Sequence, residues 1–97
     1  MFLIEVTYTK SIAEIDQCLK AHRDYLESHY QKSNLVFSGP QNPRTGGLVL
    51  TRFKNKIQVE EFILGDPFKQ QGLATYRIIE FDPVKHDSQF SVFIPQT

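Results

Sequence analysis

Neither sign of charge is in excess in this chain: eleven Lys and Arg face eleven Asp and Glu among 97 residues. That balance removes the broad positive field on which a phosphate-backbone binder relies, so no nucleic-acid partner is expected. Cysteine is nearly absent. Cys18 stands alone, no internal disulfide can form, and nothing points to an oxidising compartment. Long apolar runs are missing too. No window approaches the roughly 20 residues needed to span a bilayer, and Glu5 falls where a signal peptide would carry its apolar stretch. The expectation is a soluble cytoplasmic protein with no membrane partner. Internal repeats, low-complexity tracts, phosphate-loop patterns and recognised metal-ligand spacings are also lacking, so neither a metal nor a cofactor is expected.

What is present suits one small domain over residues 1–97. Hydrophobic residues make up 40% of the chain, with eight Phe and four Tyr. A core is within reach, but a domain this short buries a modest share of its surface and would gain from burial against a partner. In "FLIEVTYT", Phe2, Ile4, Val6 and Tyr8 recur at period two, which predicts a strand with one strongly apolar face. Ser11 and Glu14 have the spacing of a capping box. Behind them Ile12, Ile15, Leu19, His22, Leu26 and Tyr30 fall on one stripe of a helix over about 12–31. A second strand from Leu35 to Ser38 is stopped by Gly39 and Pro40, and "QNPRTGG" has the turn chemistry of a long connection. "LVLTRF" predicts a third strand. Asn55 caps a shorter helix over about 56–64, with Gly65 as its left-handed terminal residue. "LATYRIIEF" predicts a fourth strand, and Phe90 to Ile94 in the tail are β-prone.

Strand, helix, strand, strand, helix, strand is the order of a ferredoxin-like split βαβ sandwich, an α+β fold (βαββαβ plus a C-terminal extension) with both helices on one face of an antiparallel sheet. Leu3, Val36, Val49 and Ile79 occupy positions that should be polar if the other face met water. An apolar open face predicts a homodimer in which two sheets face each other.

The spacing of His22 from Leu19 and Leu26 points its imidazole toward the sheet. Such a residue is either a core histidine satisfied by a carbonyl or water, or a general acid or base whose tautomer a carboxylate fixes. Asp66, before Pro67, is a good cap for a short helical turn. It also ends the second helix, beside the helix bearing His22, so the two could line one cleft. "SGPQNPRTGG" could fold over that cleft, its glycines allowing close backbone approach to a ligand. Ser38 and Arg44 could contact a carboxylate or oxyanion, although a plain flexible hairpin is the simpler account of Arg44. Arg23, at the edge of the helical stripe, could bind an anion or reach water. Cys18 has no basic neighbour in its turn and suits inert packing. His29 and His86 lie in polar stretches and are expected at the surface.

Three fragments, "AHRDYLESH", "FSGPQNPRTGG" and "EEFILGDPFKQQGLATYRIIEF", together resemble the YCII-related domain family, small dimeric α+β-barrel proteins similar to muconolactone isomerase. The resemblance runs from Phe2 to about Pro83. The family pattern maps onto His22 with Leu26, Gly39-Pro40, Gly46-Gly47 and Asp66-Pro67-Phe68. It implies an active-site cleft with a His and Asp pair, here His22 and Asp66. Gly39, Pro40, Gly47 and Phe68, at motif positions, join Arg23 and Ser38 as candidate substrate contacts. A related member is a dehydrochlorinase of chloroaromatic breakdown. The implied activity is therefore proton transfer, as in an isomerase, lyase or dehalogenase acting on a small anionic or cyclic organic molecule; the alternative is a noncatalytic dimeric ligand-binding or interaction domain. The chain departs from the family in its proline-bearing "QNPRT" loop and in a tail that continues past the last strand.

Overall fold

Alternation in β1 (Phe2–Tyr8) buries Phe2, Ile4 and Val6 and leaves Thr7 exposed in the computed structural model, which describes residues 1–94. β1 lies inside a four-stranded sheet with β2 (Leu35–Pro40), β3 (Gly46–Thr51) and β4 (Ala74–Glu80), in the spatial order β2-β3-β1-β4. Every neighbouring pair is antiparallel. Helices α1 (Ile12–Gln31), α2 (Lys56–Gly65) and α3 (Pro67–Gln70) complete the ferredoxin-like α+β arrangement. One core joins Phe2, Ile4 and Val6 of the sheet to Ile15 and Leu26 of α1, Val59 and Phe62 of α2, and Phe68 of α3. Ile4, Ile15 and Val59 are fully buried, each contributing about 1.5–3 kcal/mol. Among the described residues no helix is long and apolar enough to cross a membrane.

The strand β3 starts two residues earlier than its apolar run suggested, because Gly46 and Gly47 pair with Thr7 and Val6. A side chain at Gly46 would run into the Val6 carbonyl, so glycine is needed for that approach. The register then corrects the reading of the open face. Val49 lies opposite Ile4 and is buried in the helix-side core, as is Thr51, whose Oγ1 donates to the Phe2 carbonyl at 2.9 Å. A β-bulge between Leu35 and Phe37 likewise brings Phe37, not Val36, alongside Leu50. Phe37, Leu50, Leu3 and Ile79 thereby form one row across all four strands on the face away from the helices.

Two further expectations are corrected. Gly65 stays within α2, and the left-handed residues are Ser33 (φ 61°) and Gly72 (φ 66°); Gly65 is small because a side chain there would meet the Tyr25 hydroxyl. Residues Ser88–Phe93 form a 3-10 helix and not a strand at Phe90 to Ile94. The reason is local: the Asp87 carboxylate accepts from Gln89 N at 2.8 Å and its carbonyl from Phe90 N at 2.9 Å, bonds that a strand would have to find on a neighbour. Arg52, at the end of β3, holds this segment by donating to the Val92 carbonyl at 3.4 Å.

Candidate functional site

Helix α1 begins with Ser11 accepting from Glu14 N at 3.2 Å, and its buried stripe fixes the helix rotation through Ile15 and Leu26. His22 lies on that stripe, so its side chain enters the gap between α1 and the sheet and is 12% exposed. Helix α2 ends at Asp66, whose backbone is extended (φ −68°, ψ 125°) and whose carboxylate caps α3 by accepting from Phe68 N at 3.0 Å. The same oxygen, Oδ1, accepts from His22 Nδ1 at 2.8 Å, and Oδ2 accepts from the Tyr76 hydroxyl at 2.7 Å. The capping and pairing readings of Asp66 thus describe one carboxylate. It is 2% exposed and has three donors; no buried side-chain polar atom among the described residues lacks a partner.

The geometry assigns the His22 tautomer. A carboxylate oxygen already accepting a backbone N–H can only accept again, so Nδ1 carries the proton and Nε2 is left with its lone pair. Phe68 stacks on the imidazole at 3.9 Å between centroids and 4° between planes, and Tyr8 meets Phe68 edge-on at 6.0 Å. The ring is held in plane by one neighbour and in rotation by another. Burial first, then the Asp66 charge, push the Tyr76 phenol well above its ordinary range, so Tyr76 remains a donor. The same two causes, in the same order, raise the Cys18 thiol, which is half-buried against the core and unsuited to act as a nucleophile.

In front of His22 lies a cleft of about 210 Å³. His22, Phe68, Val6, Leu19, Leu26 and Val49 line it. Arg23, Ser38, Gly39, Pro40 and Gly47 all line it, so the structure brings every sequence-named contact residue to one cavity. Asp66 does not line it but stands behind His22. The two glycines differ: a side chain on Gly47 would come within 2.8 Å of the Gly39 carbonyl, whereas one on Gly39 would meet open space. Gly47 is therefore required for strand approach, while Gly39 leaves the mouth wide. Ser38 Oγ is 2.7 Å from the Tyr30 hydroxyl; when Tyr30 donates, the Ser38 proton is free for a ligand.

Sequence reasoning missed Tyr76 and Tyr8; Arg44, for which a plain hairpin looked the simpler account, also lines the cleft. The signal for Tyr76 was there: Ala74, Tyr76 and Ile78 alternate inward, and a buried tyrosine needs a hydroxyl partner. His29 was expected at the surface, as His86 is, yet it is half-buried. Tyr25, Phe62 and Phe53 surround its ring edge-on at 4.9, 4.7 and 6.0 Å, and Asn34 Nδ2 lies 2.9 Å from its Nδ1. It borders a second, wider hollow of about 560 Å³ with Arg52 and Lys54. Among the described residues no group of three His, Cys, Asp or Glu side chains could hold a metal ion.

The family model of the YCII-related domain matches residues 1–82. Among solved structures, the 5-chloro-2-hydroxyhydroquinone dehydrochlorinase of Burkholderia phenoliruptrix, in complex with 2,5-dihydroxybenzoquinone, superposes with a TM-score of 0.74 at 23% identity, over 91% of this chain and 96% of that one. At that identity the likeness is one of fold. No curated protein matches the sequence.

Proposed function

The chain belongs to the YCII-related domain family, and we propose that it is a small-molecule enzyme of proton-transfer type, an isomerase, lyase or dehalogenase, with His22 as its general base and acid. The observation that carries this reading is the 2.8 Å contact of Nδ1 of the cleft-lining His22 with a buried carboxylate behind it. With Nδ1 donating to Asp66, Nε2 takes a proton from a carbon adjacent to a carbonyl of the substrate. Asp66 stabilises the imidazolium that forms, and the Tyr76 hydroxyl and Phe68 N–H keep that carboxylate from rotating. Electron density moves onto the carbonyl oxygen, where the Ser38 hydroxyl and Arg23 supply donors. Return of the proton to a different atom gives isomerisation; expulsion of a leaving group gives elimination. The dehydrochlorinase of similar fold is an enzyme of the second kind.

A thermal-shift screen of small carboxylates and phenols, followed by product analysis of each hit, tests the reading. Loss of turnover in His22→Ala and Asp66→Asn supports it. Full activity in both variants, or binding with no product, leaves a ligand-binding domain instead.

The second part of the proposal is a homodimer joined through the sheet faces. It is supported by the apolar row Phe37, Leu50, Leu3 and Ile79, in which Phe37 is half exposed, although Leu50 is already buried within the single chain. Sedimentation of an 11.3 kDa species at micromolar concentration would refute it.

A further inference from the structure

Arg44 lines the cleft with a partly exposed side chain. The loop between β2 and β3 carries it, and its Nη2 donates to Asp16 Oδ1 on α1 at 2.7 Å while its guanidinium lies 5.9 Å from the Tyr8 ring centroid. One contact thus ties the loop to the helix beside the opening. The Arg44 side chain is 33% exposed and that of Asp16 51%, so water and salt compete with this pair and another anion can take the place of Asp16. The charged side chains among the cleft's lining are Arg23 and Arg44, both positive. The rest is aromatic and aliphatic, with the hydroxyls of Ser38 and Tyr8. The volume, about 210 Å³, falls below the roughly 300–1,000 Å³ of sites for drug-sized ligands, which leaves room for about one substituted ring.

We infer that the cleft selects a planar one-ring anion and that Arg44 binds its anionic oxygen substituent after exchanging Asp16 for it, so that the Arg44–Asp16 pair is a latch the ligand opens. This rests on the reading of the cleft as the substrate site. The ring lies against apolar walls, and the anionic group stays at the rim, where a guanidinium fork offers two parallel N–H donors. Asp16 is then a competitor of the ligand. Removing it and removing Arg44 have opposite consequences, which a structural tie would not produce.

The test uses benzoate and its neutral analogue benzamide, titrated into the full chain and followed by amide NMR shifts at Gly39, Gly47 and the residues around His22. Benzoate is expected to bind in the cleft more tightly than benzamide. Arg44→Gln should weaken benzoate about tenfold with benzamide unchanged, while Asp16→Asn should tighten benzoate about threefold, the scale of one charge-assisted contact. Spectra unchanged away from the cleft show that each variant folds. Equal effects of Arg44→Gln on the two probes, weaker benzoate binding in Asp16→Asn, or no benzoate shift in the cleft up to its solubility limit would overturn the latch. His22→Ala separates this from the catalytic reading: it is expected to keep the preference for benzoate, so a lost preference with His22-dependent turnover intact sinks the latch alone.

Discussion

His22 and His29 lie seven residues apart on α1, two turns that return both to nearly the same face, and their surroundings differ in one decisive respect. Both rings are half-buried, both meet aromatic neighbours, and each Nδ1 has a partner, at 2.8 Å for His22 and 2.9 Å for His29. For His22 that partner is a carboxylate, which accepts. For His29 it is the amide nitrogen of Asn34, which donates. The two rings therefore hold opposite tautomers: the proton sits on Nδ1 in His22 and on Nε2 in His29. In the proposed mechanism burial and aromatic packing alone do not make a histidine a base; the group behind it does.

The largest expected effect breaks the His22 end. His22→Ala or Asp66→Asn should lower kcat by about 10²–10⁴, the range of general acid–base catalysis, on a substrate from the screen. His29→Ala should leave kcat within about threefold, because the proposed proton transfer does not pass through it. Equal losses at the two histidines would erase the distinction. Next in size is Phe68→Ala. Phe68 is 2% exposed and stacks on His22, so truncation should cost about 3–5 kcal/mol in urea denaturation. Phe53→Ala, at the partly covered His29 end, should cost clearly less.

These contrasts also mark how far the sequence could be read. The element order was legible because each element follows its own period: two in β1, and the i, i+3, i+4 stripe of α1 with its Ser11 cap. His22 was legible as inward-facing for the same reason, and Asp66 as a stop because Asp-Pro is a helix start. The register of β3 was not. Its apolar run reads equally well with Leu48 and Leu50 or with Val49 and Thr51 inside, and pairing of Gly46 and Gly47 with β1 decides for the latter. His29 was misread because its aromatic neighbours Phe53 and Phe62 come from the segment after β3, at a separation no local pattern reports. The tail failed for the opposite reason: its composition favours a strand, and one local cap at Asp87 overrides it.

Tyr76→Phe ranks third. It leaves Asp66 Oδ2 buried without its donor, at about 1–3 kcal/mol of stability. As a positioning residue, Tyr76 should change kcat and leave KM nearly constant, since it does not line the cleft. Equal rises in KM would mean that the cleft itself had moved. The raised phenol adds a sign: the unfolded chain releases that proton first, so stability should fall as pH rises above about 10, the usual tyrosine value, and fall less in Tyr76→Phe.

The smallest effect sharpens the comparison from the His29 side. Burial, and secondarily Lys32, hold the His29 pKa below its ordinary value of 6.5. Above that value the ring is neutral in both folded and unfolded chains, and it contributes no pH dependence. As pH falls through 6.5 the unfolded chain takes the proton first, so stability declines until the folded pKa is passed. Protonation would also set two donors, Nδ1–H and the Asn34 amide, against each other. Urea midpoints measured from about pH 5 to 8 should therefore fall toward acid in the wild type and fall less in His29→Gln. Taking the difference between the two cancels the contribution of the other titrating groups. Asn34→Asp is the decisive variant. A carboxylate against Nδ1 should raise the His29 pKa above 6.5, so the added stability is present below that pH and lost as pH rises through the new folded value. The slope then reverses sign. If the slope in His29→Gln matches the wild type and Asn34→Asp does not reverse it, the partner at Nδ1 does not govern the proton, and the assignment of His22 by its carboxylate loses its support.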